Sequence, residues 1–311
     1  MGYGRNVHVD QPLSDYATKI SQEMSNFIAD KMASPLKVRK ESDLFYKFGR
    51  EQWIERDDKR SRTSKSNQAA MPTLSTDTYV VQEHALYDLV SHREIEEADA
   101  PLEPLQDSAK DLTEMLMIGK DRFAAGILFV TAAAANYTSL TAATKWDVTT
   151  TATPLSDVDT GLDTIEKEIG RQPNKMTVGS QVWLKLKRHD DLTDIIKYTQ
   201  RGIVTADLAA AVYNVDQFNV ARSVYMTTGE GITSEATDYI WGKNVLLQYN
   251  PTASGKKTVA HSKLFTTKSS EVQVKKWPDQ DTESMKVEAS VFYDVKITSS
   301  LAAYIIFGAV S

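Results

Sequence analysis

The sequence predicts an α+β chain: one long helix packed against long strands, a compact mixed α/β portion, and an extended β-hairpin arm. Two patterns carry this reading. Apolar residues recur at Leu105, Ala109, Leu112, Leu116, Gly119, Phe123, Ile127 and Val130, in steps of three and four that give a helix one buried stripe. At ~1.5 Å per residue that helix is about 40 Å long, near twice the average of globular domains. From Met285 to Ile297 the period changes to two. Met285, Val287, Ala289, Val291, Tyr293, Val295 and Ile297 alternate with polar neighbours, Phe292 excepted. Such a strand is well beyond the usual length of about five or six residues.

Residues 1–12 read as a loose arm. Leu13, Tyr16, Ile20, Met24, Phe27 and Ile28 then mark an amphipathic helix over 13–32, with Ser14 or Asp15 as cap, ending before Pro35. It is either a surface helix of its own domain or an arm docking on another subunit through Phe27 and Ile28. Leu36–Trp53 and Thr78–Ser91 are rich in aromatic and β-branched residues and read as strands. They bracket a polar stretch far longer than a hairpin loop of about two to five residues. Arg56, Lys59, Arg60, Arg62 and Lys65 gather there, against Asp57 and Asp58, beside Trp53. A solvated loop, a contact with a neighbouring subunit and a nucleic-acid contact all fit, although the aromatic interleaving of single-strand binders is missing. Glu94, Glu96 and Glu97 follow. They form a solvated face or an electrostatic mate for the basic tip of another copy. Pro101 and Pro104 pre-set the entry to the long helix.

The stretch 146–250 reads as a compact α/β domain. Leu155, Val158, Leu162, Ile165 and Ile169 form a helix with Ser156 as N-cap and Gly170 at its end. Pro173–Ser180 is a short strand, Ser180 caps a helix that buries Val182, Leu186 and Ile195, and Thr205–Asn214 is another helix. Strands at 217–228 and 239–250 flank a polar loop containing Gly229, Glu230 and Gly231, and Trp183 and Trp241 read as buried anchors. Leu301–Val310 is apolar on both faces and reads as a buried partner strand.

Composition narrows the function. The chain has 311 residues, ordinary apolar and charged fractions, no cysteine and a net charge of −6. A packed core is expected, while disulfides and cysteine-based metal sites are excluded. No apolar stretch suits a secretion signal or reaches the ~20 residues of a membrane span. An acidic chain is a poor general binder of nucleic acid. The chemical motifs fail. Ser254–Thr258 lacks the upstream glycine of a phosphate loop, and Gly229–Ser234 lacks the third glycine of a dinucleotide fingerprint. Asp157, Asp159, Asp163 and Glu168 put Leu162 where a calcium loop needs glycine. The histidines His8, His84, His92, His189 and His261 have no metal-ligand spacing. No cofactor, metal or catalytic residue is expected.

The order of arm, long hairpin, long helix, compact α/β domain and long strands resembles the major capsid protein family of tailed bacteriophages. Local wording agrees: FIADK at Phe27–Lys31, PLKVRKESDLFYKFG at Pro35–Gly49, ADAP at Ala98–Pro101, PN at Pro173–Asn174, VWLKL at Val182–Leu186 and WGKNVLLQY at Trp241–Tyr249. The resemblance implies the tailed-phage capsid fold. It places an N-terminal arm at 1–36, an extended loop at 37–90, a peripheral domain with its spine helix at 91–145, an axial domain at 146–255 and the peripheral domain's long strands at 256–311. It implies a non-enzymatic subunit that self-assembles into hexamers and pentamers of an icosahedral or prolate capsid around double-stranded DNA, in a virion built in the cytoplasm of a bacterial host. Trp53, Arg56, Arg60, Arg62, Lys65, Glu94, Glu96 and Glu97 become candidate inter-subunit contacts, and Gly229–Gly231 a candidate axial tip loop. FIADK comes so early that a separate scaffolding protein is implied. A portal protein, a cement or decoration protein and DNA held without tight specific binding are further expected partners; a membrane is not. A cellular nanocompartment shell and an oligomeric enzyme using 146–250 are the alternatives.

Overall fold

The computed structural model describes residues 22–311 apart from 51–52, 54, 56–57, 61, 63–64, 67–74, 99–102, 197–203, 230–235, 253–254 and 268–271. A short helix α1 (Ala29–Met32) leads into strands β1 (Ser34–Lys37), β2 (Ser42–Lys47), β3 (Ser75–Val80) and β4 (Gln82–Ser91). Helices α2 (His92–Glu97) and α3 (Pro104–Leu128) and strand β5 (Asn136–Ser139) follow. Next come α4 (Pro154–Ile169), β6 (Lys175–Gly179), α5 (Ser180–Leu186), α6 (Asp190–Ile196) and α7 (Ala206–Val212). Strands β7 (Gln217–Ala221), β8 (Val224–Met226), β9 (Thr237–Tyr239), β10 (Val245–Gln248), β11 (Ser262–Thr266), β12 (Gln273–Asp279), β13 (Ser284–Ile297) and β14 (Ala303–Phe307) complete the chain.

Among the described residues the strands form two five-stranded sheets and two ribbons. In the first sheet β13 is the axis. It pairs antiparallel with β12 over Ser284–Ser290, with β4 over Ser284–Tyr293 and with β11 over Asp294–Ile297, and β1 runs parallel to β11. The second sheet has the order β5, β14, β10, β6, β7. The ribbon of β2 and β3 is a hairpin shorter than expected, in register from Ser42 opposite Val80 to Lys47 opposite Ser75; of the stretch 78–91 read as its second strand only 78–80 lies in it, and β4 pairs with β13 instead.

The long helix is 25 residues, with Pro104 in its first turn, and it lies against β13. Leu112, Leu116, Ala124 and Leu128 pack into one core with Val287, Ala289, Val291, Tyr293 and Val295. The alternation along β13 is therefore set by the helix on one side. Phe292, the exception, has its own explanation. It points to the other face and closes a small core with Val38, Phe45, Tyr79, Val81 and Phe265 beneath the hairpin. The rings of Tyr79 and Phe265 stack there at 4.3 Å. A separate core holds the second sheet to its helices through Val158, Ile165, Val178, Trp183, Leu247 and Ile306.

Several expectations are corrected. The buried stripe of α3 holds only to Leu116. Beyond it the buried residues are Lys120, Asp121, Ala124 and Leu128, and Phe123 and Val130 are exposed. The helix over 13–32 is not continuous where described: a turn of 3-10 helix at Met24–Asn26 gives way to extended backbone at Phe27 before α1. Residues 13–21, with Ser14 and Asp15, lie outside the described residues. The cap of α4 is Thr153, with Pro154 first in the helix, and that of α5 is Gly179, so Ser156 and Ser180 are inside their helices. Gly170 does end α4, at φ +62°. Leu192 rather than Ile195 is buried on α6, since Ile195 is exposed. Trp241 is buried, but in a turn beside Phe129 at the end of the long helix. The last apolar stretch is buried as read, but its strand β14 sits in the second sheet between β5 and β10.

Candidate assembly surfaces

The hairpin of β2 and β3 has two apolar faces. Phe45 and Tyr79 turn into the small core. On the opposite face Leu44 is 55% and Val80 49% exposed. Lys47 and Asp77 pair across the strands at 2.6 Å, and that cation together with the Thr78 N–H holds the Asp77 carboxyl below its ordinary range. Past the hairpin, Arg50 pairs with Glu168, and the Trp53 ring stands over Gly170, where a β-carbon would meet it at 3.2 Å. The root of the loop is thus clipped to the end of α4. Trp53 stays half-exposed, Arg60, Arg62 and Lys65 are exposed beyond it, and Arg56 lies outside the described residues.

The acidic trio sits on α2, which Ser91 caps by accepting from Arg93 N. Glu94, Glu96 and Glu97 are all exposed. His92 N donates to Glu283 O at 3.2 Å, so this helix lies beside the turn joining β12 to β13. That turn carries Asp279, Asp281 and Glu283. One end of the first sheet therefore gathers carboxylates from two separate elements.

Phe27 and Ile28 are buried inside their own chain. The segment around them is sewn to the body mostly through its backbone. Ile28 N and Ala29 N donate to the Asp121 carboxylate at 3.3 and 2.9 Å, and Lys120 Nζ donates to both oxygens of Asp30 at 2.7 Å. Lys175 Nζ donates to Lys31 O at 2.8 Å, and Gln248 Nε2 to Met32 O at 3.0 Å. Asp121 also accepts from Ser223 Oγ at 2.8 Å and Trp241 Nε1 at 3.0 Å. Burial nevertheless pushes its pKa up against these donors. Periodicity gave no sign of this hub, because Lys120 and Asp121 read as the wet side of an amphipathic helix.

The ribbon of β8 and β9 leads to the loop of Gly229. It is rooted on the long helix, where the Arg122 guanidinium lies 4.5 Å over the Tyr225 ring and Gln22 exchanges hydrogen bonds with both backbone groups of Val224. Gly229 is exposed; Glu230 and Gly231 lie outside the described residues. Among the described residues no His, Asp and Glu side chains cluster as a metal site, and no helix is long and apolar enough to cross a membrane.

The chain matches the family model for phage major capsid protein E over residues 127–291, more than half its length. It is 29% identical over 249 residues to the major capsid protein of Burkholderia phage BcepMu, covering 79% of this chain and 78% of that one. Its fold is similar to the crystal structure of a phage-related protein from Bordetella bronchiseptica, with a TM-score of 0.73, 20% identity and coverage of 96% and 97% of the two chains. It also resembles the mature capsid of bacteriophage PhiM1, with a TM-score of 0.57, 12% identity and coverage of 93% and 89%.

Proposed function

As a member of the phage major capsid protein E family this chain is a self-assembling structural subunit of a viral capsid, and we propose that its copies ring into hexamers and pentamers through the extended hairpin. On this reading 37–90 is the extended loop, 91–145 and 256–311 the peripheral domain, and 146–255 the axial domain, with 1–36 as the arm, except that β4 belongs with the peripheral sheet and β5 and β14 with the axial one. The observation that carries it is the two-sided hairpin. One apolar face is satisfied by its own body, and the face of Leu44 and Val80 is left for a neighbour. Arg56, Arg60, Arg62 and Lys65, with the exposed side of Trp53, then reach another copy, and Glu94, Glu96 and Glu97 are the surface they meet. Asp279, Asp281 and Glu283, beside that trio, extend the acidic target. An exposed ion pair contributes only about 0.2–1 kcal/mol, but it recurs at every subunit of a shell and such contacts compound. The loop of Gly229, Glu230 and Gly231 is a further contact.

The shell encloses double-stranded DNA in a virion assembled in the cytoplasm of a bacterial host. A separate scaffolding protein, a portal protein and a decoration protein complete the set of partners. The test replaces Glu51–Thr76 with a short Gly/Ser linker. The small core under the hairpin stays intact, so the subunit is expected to melt cooperatively yet form no closed shells by electron microscopy. Normal shells from this variant overturn the reading.

A further inference from the structure

Strand β4 is an open edge. Its ten residues pair with β13 on one side, and among the described residues no strand pairs with the other. About half its backbone N–H and C=O groups therefore point away from the sheet, ready to template another strand. Natural edges are blunted by proline, lysine or bulges. The opposite open edge, β12, is blunted in this way by Lys275, Lys276 and Pro278. The sequence of β4, QEHALYDLVS, has neither residue type, and Leu86, Tyr87 and Leu89 on it are 41%, 59% and 40% exposed. An edge of that length and character is an aggregation hazard unless something covers it.

We propose that β4 pairs antiparallel with β4 of a second copy across a two-fold axis through Leu86, joining two first sheets into one. The strand is self-complementary in this register. His84 falls opposite the partner's Asp88, Leu86 opposite its own counterpart, Tyr87 opposite the partner's Ala85, and Glu83 opposite the partner's Leu89. His84, Leu86 and Asp88 share one face, the side on which His84 stacks on Tyr293 at 4.4 Å. A slip of one position toward the N-terminus would set Glu83 against the partner's Asp88, and like charges directly opposite destabilise a ladder. Of the two neighbouring registers, charge thus disfavours that one. Symmetry gives the contact its place. The hairpin tip and the acidic trio are different patches, so their contact is heterologous and closes rings. Pairing of β4 with itself is isologous and joins one ring to the next.

The chain contains no cysteine, so single cysteines report the contact directly. In an antiparallel ladder opposed Cα atoms are about 4.5–5.5 Å apart, inside the ~4.4–6.8 Å range of disulfides. Leu86→Cys in the full-length assembled protein should oxidise to covalent dimers for most chains. Glu83→Cys, whose counterpart would be Leu89, should give at least about tenfold fewer. If Leu86→Cys does not assemble, His84→Cys and Asp88→Cys chains are co-assembled; mixed dimers are expected to dominate over either homodimer. Dimers from Glu83→Cys equal to those from Leu86→Cys, no dimers from Leu86→Cys shells, or homodimers dominating the mixture would each overturn the proposal. Repeating Leu86→Cys with Arg60 and Arg62 reversed to Glu separates the two contacts. Loss of rings with retained dimers indicts the tip alone.

Discussion

Replacing Asp121 with alanine removes the acceptor on which the N-terminal segment hangs. The carboxylate takes hydrogen bonds from Ile28 N, Ala29 N, Ser223 Oγ and Trp241 Nε1. Trp241 keeps a second acceptor, Ser223 Oγ at 3.1 Å, so the main damage falls on the two backbone donors. A buried donor left without a partner costs roughly 1–3 kcal/mol. Lys120, the neighbouring residue, is fully buried and depends for its ion pair on Asp30 in the segment that would lift away. Leaving both backbone donors unpaired at once costs about 3–5 kcal/mol on this scale, a large share of the ~5–15 kcal/mol margin of a folded domain. The expected result is a loss of about 3–5 kcal/mol in chemical denaturation, with faster tryptic cleavage after the exposed Lys31. Asp121→Asn keeps one acceptor oxygen for Ala29 but turns an amide N–H₂ toward donors, so a smaller loss of about 1–3 kcal/mol is expected. A loss under about 1 kcal/mol for Asp121→Ala with unchanged cleavage at Lys31 would refute the reasoning.

Four further outcomes are expected. Gly179→Ala should give insoluble protein, because a β-carbon there would lie 2.0 Å from the backbone oxygen of Gly242, and solubility on expression reads it out. Trp183→Ala should cost about 3–5 kcal/mol through the buried contact with Phe218 at 5.1 Å; native-like melting would count against this. Burial holds His261 down to about 4 from 6.5, so between those values the unfolded chain takes up the proton first and stability falls with pH, by about 3 kcal/mol in all at ~1.4 kcal/mol per unit. Denaturation midpoints of the protein and of His261→Asn, compared at pH 7 and 4.5, should diverge accordingly. With a net charge of −6, the unassembled subunit should bind a labelled duplex weakly, and ever more weakly as salt rises; submicromolar, salt-resistant anisotropy titrations would move Arg60, Arg62 and Lys65 to a nucleic-acid role.

Elements with a strong period were legible in the sequence. The α3 helix and β13 declared themselves through spacings of 3.6 and two, and Gly170 through the left-handed turn it permits. What failed was anything decided by distant partners. Lys120 and Asp121 are interior because a segment about ninety residues earlier satisfies them, and no local pattern encodes that. The sheet that β14 would join could not be read either, since a strand apolar on both faces fits the middle of any sheet. Of the candidate surface, the basic tip and the acidic trio were visible as charge runs. The exposed side of the hairpin at Leu44 and Val80 was not, because alternation alone does not say which face the body covers.

The position of β14 has a consequence for how the protein is made. Residues 303–307 leave the ribosome after every other described strand, yet they bridge β5 and β10 in the second sheet. Until they arrive β5 has no partner and β10 presents a bare edge. Contacts between residues so far apart in the chain also form slowly. A nascent or truncated chain that has finished the long helix and β13 still lacks a closed second sheet. The subunit therefore gains its complete surface only once this strand has been made, and a fragment lacking it carries an unfinished fold that cannot match its neighbours in a lattice.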